Sequence, residues 1–184
     1  MTTGALDGCV IVNGMPGAGK STITALAAHL LPRAAQVKGD VVSYMILSGR
    51  VGFQQEPAHE AARQGELCNH NLSTLANNFV DYGFTVLLDT VVQDRAELDE
   101  LVGLMAPRPV RLVTLAPGID ACRHRNSVRE PEDRFFFDGY DRLEADMRRD
   151  LSHLGWWFDT SALTPEQTAQ QLVREAVGRC RLLP

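Results

Sequence analysis

The sequence predicts an α/β domain, a three-layer sandwich in which a parallel β-sheet of five strands is covered by helices on both faces. Short apolar runs alternate with longer helical stretches along the whole chain, as strands joined by helical crossovers require. The apolar runs show little polar alternation, which is typical of strands buried on both faces of a sheet. A glycine-rich segment joins the first apolar run to the first helix, and such turns lie at the ligand-binding edge of α/β sheets.

The glycine-rich segment, residues 14–21, fits the pattern G-x-x-x-x-G-K-[ST]. It follows the predicted strand 9–12 and precedes a helical stretch, residues 22–31. Backbone N–H groups of such a loop turn inward around phosphate oxygens, and the positive end of the helix dipole adds to the attraction. Lys20 is expected to reach the β- and γ-phosphates, and Ser21 to bind Mg²⁺. The segment therefore predicts binding of a nucleoside triphosphate, with contacts from Gly14, Pro16, Gly17, Ala18, Gly19, Lys20, Ser21 and Thr22.

The composition is that of one ordinary globular domain, which we expect over residues 1–184. The net charge of −5 and the lack of a long basic run argue against a nucleic-acid partner. No apolar run approaches the length of a membrane span, and we expect no signal peptide, so we predict a cytoplasmic protein without membrane contact. No C-x-x-C spacing occurs among Cys9, Cys68, Cys122 and Cys180, so we expect reduced thiols and neither a disulfide framework nor a zinc site. Reduced thiols are typical of the cytoplasm.

The second predicted strand, residues 34–37, brings Asp40 to the carboxyl end of a strand. Open α/β sheets bind ligands at this edge, which favours a functional role for Asp40. A short helix is expected over residues 41–47, and the alternative role of Asp40 is to cap its N-terminus. A loop over residues 48–52 follows.

Pro57 begins a long helical stretch that runs to about Tyr82. One side of this helix carries a partial apolar stripe that is expected to face the core. The other side is polar and is interpreted as solvated. Its residues are Glu60, Arg63, Glu66, Asn69, His70 and Asn71.

The third predicted strand, residues 84–88, ends at a second carboxylate, Asp89. Asp94 and Glu97 then form a capping-box pattern that begins the next helix, which should end before Pro107.

The fourth predicted strand, residues 110–115, leads into a helix near Ile119 and then into an arginine-rich segment. A helix over 138–151, a strand over 156–158 and a C-terminal helix from 164 to about 180 complete the alternation. The aromatic cluster 135–137 is interpreted as an anchor for the following helix. The arginines of the segment are Arg123, Arg125, Arg129 and Arg134.

These positions have the layout of a small kinase. Asp40 can orient or deprotonate an acceptor hydroxyl, and Asp89 can hold a metal ion through water. Arginines after the fourth strand can neutralise charge on the transferring phosphoryl group. A GTPase is not indicated, because an Asn-Lys-x-Asp motif and an Asp-x-x-Gly switch are missing from the expected positions.

The loop at 14–21, Gly39 with Asp40, the strand end at 86–89 and the arginine segment at 123–129 together resemble the nucleoside-monophosphate-kinase-like group of P-loop kinases. This group includes shikimate and gluconate kinases, zeta toxins and chloramphenicol phosphotransferase. The resemblance spans nearly the whole chain, and its most specific motif is the loop. It implies the P-loop NTPase fold with strand order 2-3-1-4-5 and the phosphate loop after the central strand.

The resemblance also implies roles for individual residues. Asp40 corresponds to the general base towards the acceptor, and acts in catalysis together with Lys20. Arg125 and Arg129 correspond to lid arginines that close over the triphosphate, in a lid of about residues 123–137.

Two further residues are candidates for binding. Asp89 is either a ligand of Mg²⁺, together with Ser21, or a contact for the substrate. Arg50 lies where the group often binds its acceptor, and its alternative is an exposed loop charge. The loop of residues 159–161 is expected near adenine.

The predicted function is an ATP- and Mg²⁺-dependent phosphotransferase that moves the γ-phosphate to a hydroxyl of a small molecule. An antibiotic or a nucleoside-like metabolite is the leading acceptor. The alternatives are a toxin-type nucleotide-sugar kinase and a nucleotide-binding regulatory module without acceptor transfer. A nucleoside-monophosphate kinase is less favoured, because residues 50–71 offer few arginines for a phosphate. The small-molecule acceptor is the expected partner, and a homodimer remains open.

Overall fold

The computed structural model describes residues 6–53, 55–130, 139–180 and 182. Within them, five strands form one sheet in the order β2-β3-β1-β4-β5, and all neighbouring strands are parallel. The strands are β1 Cys9–Gly14, β2 Ala34–Lys38, β3 Thr85–Asp89, β4 Val110–Ala116 and β5 Trp156–Asp159. The helices are α1 Lys20–His29, α2 Gly39–Ser43, α3 Ala58–Asp81, α4 Arg95–Met105, α5 Ile119–Ser127, α6 Tyr140–Leu151 and α7 Pro165–Arg179. The predicted fold and strand order are confirmed.

The central strands are buried because helices cover both faces of the sheet. Every residue of β1 and β3 is buried, which explains why neither strand alternates apolar and polar side chains. The crossover from β1 to β2 carries α1 in one direction across the sheet, and the crossover from β2 to β3 carries α3 back. Because such crossovers are right-handed, α1 and α3 lie on opposite faces. There α1 packs against α7, and α3 packs against α4.

The register of the strands brings the candidate functional segments to one edge. Asp89, the last residue of β3, is level with Val12 on β1 and with Lys38 on β2. The chain therefore leaves β1 into the glycine-rich loop, and β2 into Asp40, at the same end of the sheet as Asp89.

The helix after β2 begins earlier than the sequence predicts and is shorter. It starts at Gly39 instead of residue 41, and Lys38 is its N-cap, without a side-chain cap. Asp40 consequently lies in the first turn, so its interpretation as the N-cap is wrong. Tyr44 ends the helix, where the sequence predicted continuation to residue 47.

The predicted capping residues are present at two helices. Thr164 and Gln167 form a complete capping box at α7. Asp94 caps α4 by accepting a hydrogen bond from the Glu97 N–H at 3.0 Å. The Glu97 carboxylate, however, accepts from the N–H of Gln93 instead of from the cap residue.

Some sequence predictions lie outside the described residues. These are residues 131–137 of the predicted lid, which include Arg134 and the aromatic cluster 135–137, and the first residue of the predicted helix 138–151. In the part of the chain that is described, none of the helices combines the length and the apolar character that a membrane span requires. All four cysteines carry free thiols, as predicted.

Candidate active site

The glycine-rich loop has a backbone that requires glycine at specific positions. Gly17 and Gly19 have φ angles of +87° and +96°, which side chains disfavour. A Cβ atom on Gly17 would collide with the carbonyl oxygen of Cys122, so the loop lies directly against α5. The N–H of Ala18 donates to the carbonyl of Met15 at 2.9 Å and closes the turn. This backbone passes at once into the N-terminus of α1, the geometry that binds phosphate groups.

Lys20 folds back over this loop. Its Nζ donates to the carbonyl oxygens of Gly14 at 2.8 Å and Met15 at 3.2 Å. Burial lowers the pKa of Lys20, while the negative charges of Asp89 and Asp40 oppose that shift. An arriving phosphate would supply the negative charge that the buried ammonium group lacks.

Ser21 and Asp89 join the loop helix to the end of β3. The Ser21 hydroxyl donates to Oδ2 of Asp89 at 2.5 Å, and Asp89 is only 6% exposed. Burial raises the pKa of Asp89, against the opposing effects of Lys20 and of the Ser21 hydrogen bond.

The donor set at this point fits Mg²⁺ held together with a nucleotide. Ser21 and Asp89 offer one hydroxyl and one carboxylate, and Mg²⁺ binds through one or two protein oxygens, substrate phosphates and water. Within the described residues there is no group of three or more His, Cys, Asp or Glu side chains that could hold a metal. The chain thus provides part of a coordination shell, which a triphosphate and water would complete.

A cleft of about 240 Å³ extends from the phosphate loop along the edge of the sheet. It brings together most of the residues predicted for the site: Pro16, Gly17, Gly19, Lys20, Ser21, Thr22, Asp40, Asp89 and Arg129. Asp40 is exposed in this cleft, whereas Asp89 lies deeper. Gly14 and Ala18 belong to the loop but are buried beneath its surface.

Asn13 fixes the segment that follows β3. This side chain is fully buried at the end of β1. Its Oδ1 accepts from the N–H of Val92 at 2.9 Å, and its Nδ2 donates to the Val92 carbonyl at 3.1 Å. Both backbone groups of Val92 are therefore paired, and the neighbouring Thr90 and Val91 are held at the cleft wall.

The two predicted lid arginines, Arg125 and Arg129, both lie at the phosphate loop or the cleft. A guanidinium nitrogen of Arg125 lies 3.9 Å from the position of a Cβ on Gly19, and Arg129 lines the cleft. Arg123 forms an exposed ion pair with Asp141 at 2.6 Å.

Arg50 does not line the cleft. It is exposed, and its guanidinium carbon lies 4.4 Å from the centre of the Tyr44 ring. The residues of this loop that reach the cleft are Val51 and Phe53. The alternative of an exposed loop charge describes the position of Arg50 better than an acceptor contact.

The cleft also contains residues that the sequence did not single out. One face of α3 lines it with Ala61, Gln64, Gly65, Cys68 and Asn69, and the first turn of α4 adds Glu97. Asn69 is only 6% exposed, so its assignment to a solvated face is wrong. Glu97 was interpreted as a capping residue alone. The chain order could have indicated that Asn69 and Glu97 lie near the site, because α3 precedes and α4 follows the strand that ends at Asp89.

The loop of residues 159–161, which is expected near adenine, follows β5 and does not line the cleft. Asp159 is exposed and accepts a hydrogen bond from the Ser161 N–H at 2.9 Å, which lowers its pKa. Trp156 stacks on Phe158 with ring centres 4.0 Å apart, as expected of packing at an edge strand.

Comparison with known proteins places this geometry in a wider group. Residues 9–154 match a family described as "AAA domain". No curated protein sequence gives a significant match.

Several solved structures share the fold over nearly the whole chain. An unliganded sugar kinase from Janibacter sp. HTCC2649 has a TM-score of 0.68 at 17% identity, with 94% of this chain and 96% of that chain covered. The tunicamycin resistance protein of Deinococcus radiodurans has a TM-score of 0.64 at 19% identity, covering 97% and 99%. The APS kinase of Mycobacterium tuberculosis, in complex with AMPPNP and APS, has a TM-score of 0.63 at 18% identity, covering 92% and 96%. At these identities the likeness establishes the P-loop kinase fold.

Proposed function

The chain belongs to the AAA domain family, and we propose that it is an ATP-dependent phosphotransferase acting on a hydroxyl group of a small molecule. The observation that carries the proposal is the position of Asp40. This carboxylate is exposed in the same cleft as the phosphate loop and Asp89, at the ends of neighbouring strands. A nucleotide switch would need the loop and Asp89 but no second carboxylate at the open side of the cleft.

The proposed reaction assigns a task to each side chain. Asp40 orients the acceptor hydroxyl and takes its proton as the oxygen attacks the γ-phosphorus. The new bond joins the acceptor oxygen to phosphorus, and the bond between the γ-phosphorus and the β,γ-bridging oxygen breaks, releasing ADP. Lys20, Arg125 and Arg129 balance the negative charge that moves onto the phosphate oxygens and the leaving group.

Magnesium is the expected metal, held by Ser21 and Asp89 with the nucleotide phosphates. When bound, it would neutralise phosphate charge and help to orient the triphosphate. We propose that Asp89 binds the metal and not the substrate. The reason is that Asp89 accepts a hydrogen bond from Ser21, which is the metal-binding position of the loop pattern.

An antibiotic or a nucleoside-like metabolite is the acceptor that we favour. The structural likeness to a tunicamycin resistance protein supports including nucleoside antibiotics among the first acceptors tested. A nucleotide sugar is less favoured, because its diphosphate would need basic side chains on the acceptor side of the cleft. Arg50, the residue predicted to provide one, stacks on Tyr44.

The proposal is tested by incubating the protein with ATP and Mg²⁺ and a panel of antibiotics, nucleosides and nucleotide sugars. Products are detected by the added mass of one phosphoryl group. Product formation with one acceptor and stoichiometric release of ADP supports the proposal. Tight ATP binding without product from any acceptor would contradict it and favour a regulatory module.

A further inference from the structure

Positive and negative charges are unevenly distributed along the cleft. Among its described lining residues, the basic side chains are Lys20 and Arg129. Lys20 donates to loop carbonyl oxygens, and the positive charge of Arg129 helps to lower the pKa of Lys20. Both side chains therefore lie at the end of the cleft where the triphosphate is proposed to bind. The lining carboxylates are Asp40, Asp89 and Glu97. With Asp89 engaged at the loop, Asp40 and Glu97 give the remaining walls a negative character.

Glu97 has no task in the proposed phosphoryl transfer, yet its carboxylate is held in a fixed position. Oε2 accepts from the N–H of Gln93 at 3.0 Å, and Oε1 accepts from Nδ2 of Asn69 at 3.4 Å. Burial raises the pKa of Glu97, which marks a carboxylate whose charge is incompletely compensated. Each oxygen can accept another hydrogen bond, so a ligand that donates one would complete its environment.

Gly65 leaves open space in the cleft that Glu97 and Asn69 also line. It lies inside α3, where glycine weakens a helix relative to alanine. A Cβ atom at Gly65 would have no heavy atom within 4 Å, so packing does not demand glycine here. Asn69, the partner of Glu97, lies one turn further along the same helix face.

Apolar side chains complete this part of the cleft. Val51, Phe53, Ala61 and Val91 line it alongside the polar residues. A small ring with one apolar face and several hydroxyl or amino groups matches such a lining.

We propose that the acceptor is a neutral or cationic polyhydroxy compound that donates hydrogen bonds from hydroxyl or ammonium groups to Glu97. This inference rests on the proposed phosphotransferase function and names the chemical class of its acceptor. An acceptor with a carboxylate, sulfate or phosphate group would meet Asp40 and Glu97 at close range and be repelled. Glu97 is thus a residue that determines specificity, distinct from the groups that transfer phosphate.

The first test compares acceptors that share a ring skeleton and differ in charge: glucosamine, glucose and glucuronate, and adenosine with its 5′-monophosphate. The measured quantity is kcat/KM for the phosphorylated product. We expect the neutral or amino compound of a series to exceed its anionic relative by about 100-fold or more, the range that an unpaired or repelled buried charge produces.

Glu97→Gln tests the residue itself, because it keeps the shape and removes the charge. We expect the acceptor KM to rise about 10- to 100-fold, the effect of losing one charge-assisted hydrogen bond, with the KM for ATP unchanged. The preference for neutral over anionic acceptors should also fall by about tenfold or more. A purely structural role of Glu97 would lower activity without changing that preference.

Gly65→Leu tests the open part of the cleft that Gly65 lines, one helical turn from Asn69, with Gly103→Leu on α4 as its matched control. Both glycines are helical and exposed, and a Cβ atom at either would meet nothing within 4 Å. Leucine favours the helix at both positions, so neither variant should lose stability. We expect Gly65→Leu to raise the acceptor KM by about tenfold or more through steric exclusion, and Gly103→Leu to leave it unchanged.

The outcomes separate the two proposals. If the protein phosphorylates an anionic acceptor better than its neutral relative, or if Glu97→Gln leaves the preference unchanged, the inference is overturned and the kinase function stands. If no acceptor of the panel is phosphorylated, both fall together.

Discussion

The Ser21 hydroxyl donates a hydrogen bond to Asp89, with 2.5 Å between Oγ and Oδ2, and this bond joins the first turn of α1 to the end of β3. It brings together the hydroxyl and the carboxylate that we propose as ligands of Mg²⁺. In the absence of ligand the same bond helps to stabilise a buried carboxylate whose pKa is raised, chiefly by desolvation. Function and stability therefore make opposite demands on Asp89.

The first prediction follows from that conflict. Asp89→Asn should raise the Tm of the ligand-free protein at neutral pH by a few degrees, since about 1 kcal/mol shifts a domain of this size by about 2–4 °C. An asparagine oxygen can still accept from Ser21, while the cost of burying a charge disappears.

The sign of its pH dependence can be stated. A raised pKa means that the folded state holds the Asp89 proton more tightly than the unfolded state. The cost of ionising Asp89 is complete above the folded-state pKa and vanishes below the ordinary value of 3.8. The difference in Tm between Asp89→Asn and the wild type should therefore shrink as the pH falls. Saturating Mg²⁺ and ATP should reverse the sign of that difference. Equal Tm values at all pH values would contradict this account.

The second prediction concerns the contact between the phosphate loop and α5. Gly17→Ala should destabilise the protein and weaken ATP binding, because the new methyl group collides with the Cys122 carbonyl. Gly49→Ala is the matched control, with a φ of +76° and no atom within 4 Å of its Cβ position. Both variants carry the strain of a positive φ, about 1–2 kcal/mol, so the excess loss in Gly17→Ala measures the collision. Equal losses in a calorimetric comparison would refute this contact.

The third prediction tests the assignment of the lid arginines. Arg125→Ala should lower kcat for phosphoryl transfer by about 10²–10³-fold, the usual effect of removing one group that stabilises transition-state charge. Arg123→Ala is its control, because Arg123 forms an exposed ion pair with Asp141 that contributes about 1 kcal/mol or less. Comparable rates for the two variants in steady-state assays would exclude the lid role of Arg125.

The fourth prediction concerns Asn13. Asn13→Ala should cost several kcal/mol of unfolding free energy, because it leaves both backbone groups of Val92 buried and unpaired, at about 1–3 kcal/mol each. Asn13→Asp keeps the acceptor for the Val92 N–H, but it removes the amide donor to the Val92 carbonyl and to Oγ1 of Thr114 and buries a carboxylate. It should therefore cost at least as much as Asn13→Ala. Denaturant unfolding measures both. A loss below 1 kcal/mol for Asn13→Ala would show that this pairing is dispensable.

Much of this architecture could be predicted from the sequence because local patterns determine it. The buried strands, the glycine loop and the Thr164 cap each depend on neighbouring residues. Asp40 and Asp89 could be placed at one edge because parallel strands align their carboxyl ends.

The acceptor side could not be predicted in the same way. Asn69 and Glu97 are 28 residues apart and meet only because α3 packs against α4. Their residue types suggested a solvated face and a helix cap, which are local roles. Arg50 shows the same limit, because its position in the loop allowed either a ligand contact or an exposed charge, and only the fold places its guanidinium over the Tyr44 ring.

The central claim is that Asp40 serves the acceptor and not the nucleotide, and the direct measurement is phosphoryl transfer by Asp40→Asn. The account predicts that transfer to the acceptor falls by about 10²–10⁴-fold, the range for a general base, while ATP affinity stays within about threefold of the wild type. Asp99→Asn, which changes an exposed carboxylate paired with Arg95 on α4, should leave both quantities unchanged. Undiminished transfer by Asp40→Asn, or a parallel loss of ATP binding, would contradict the account.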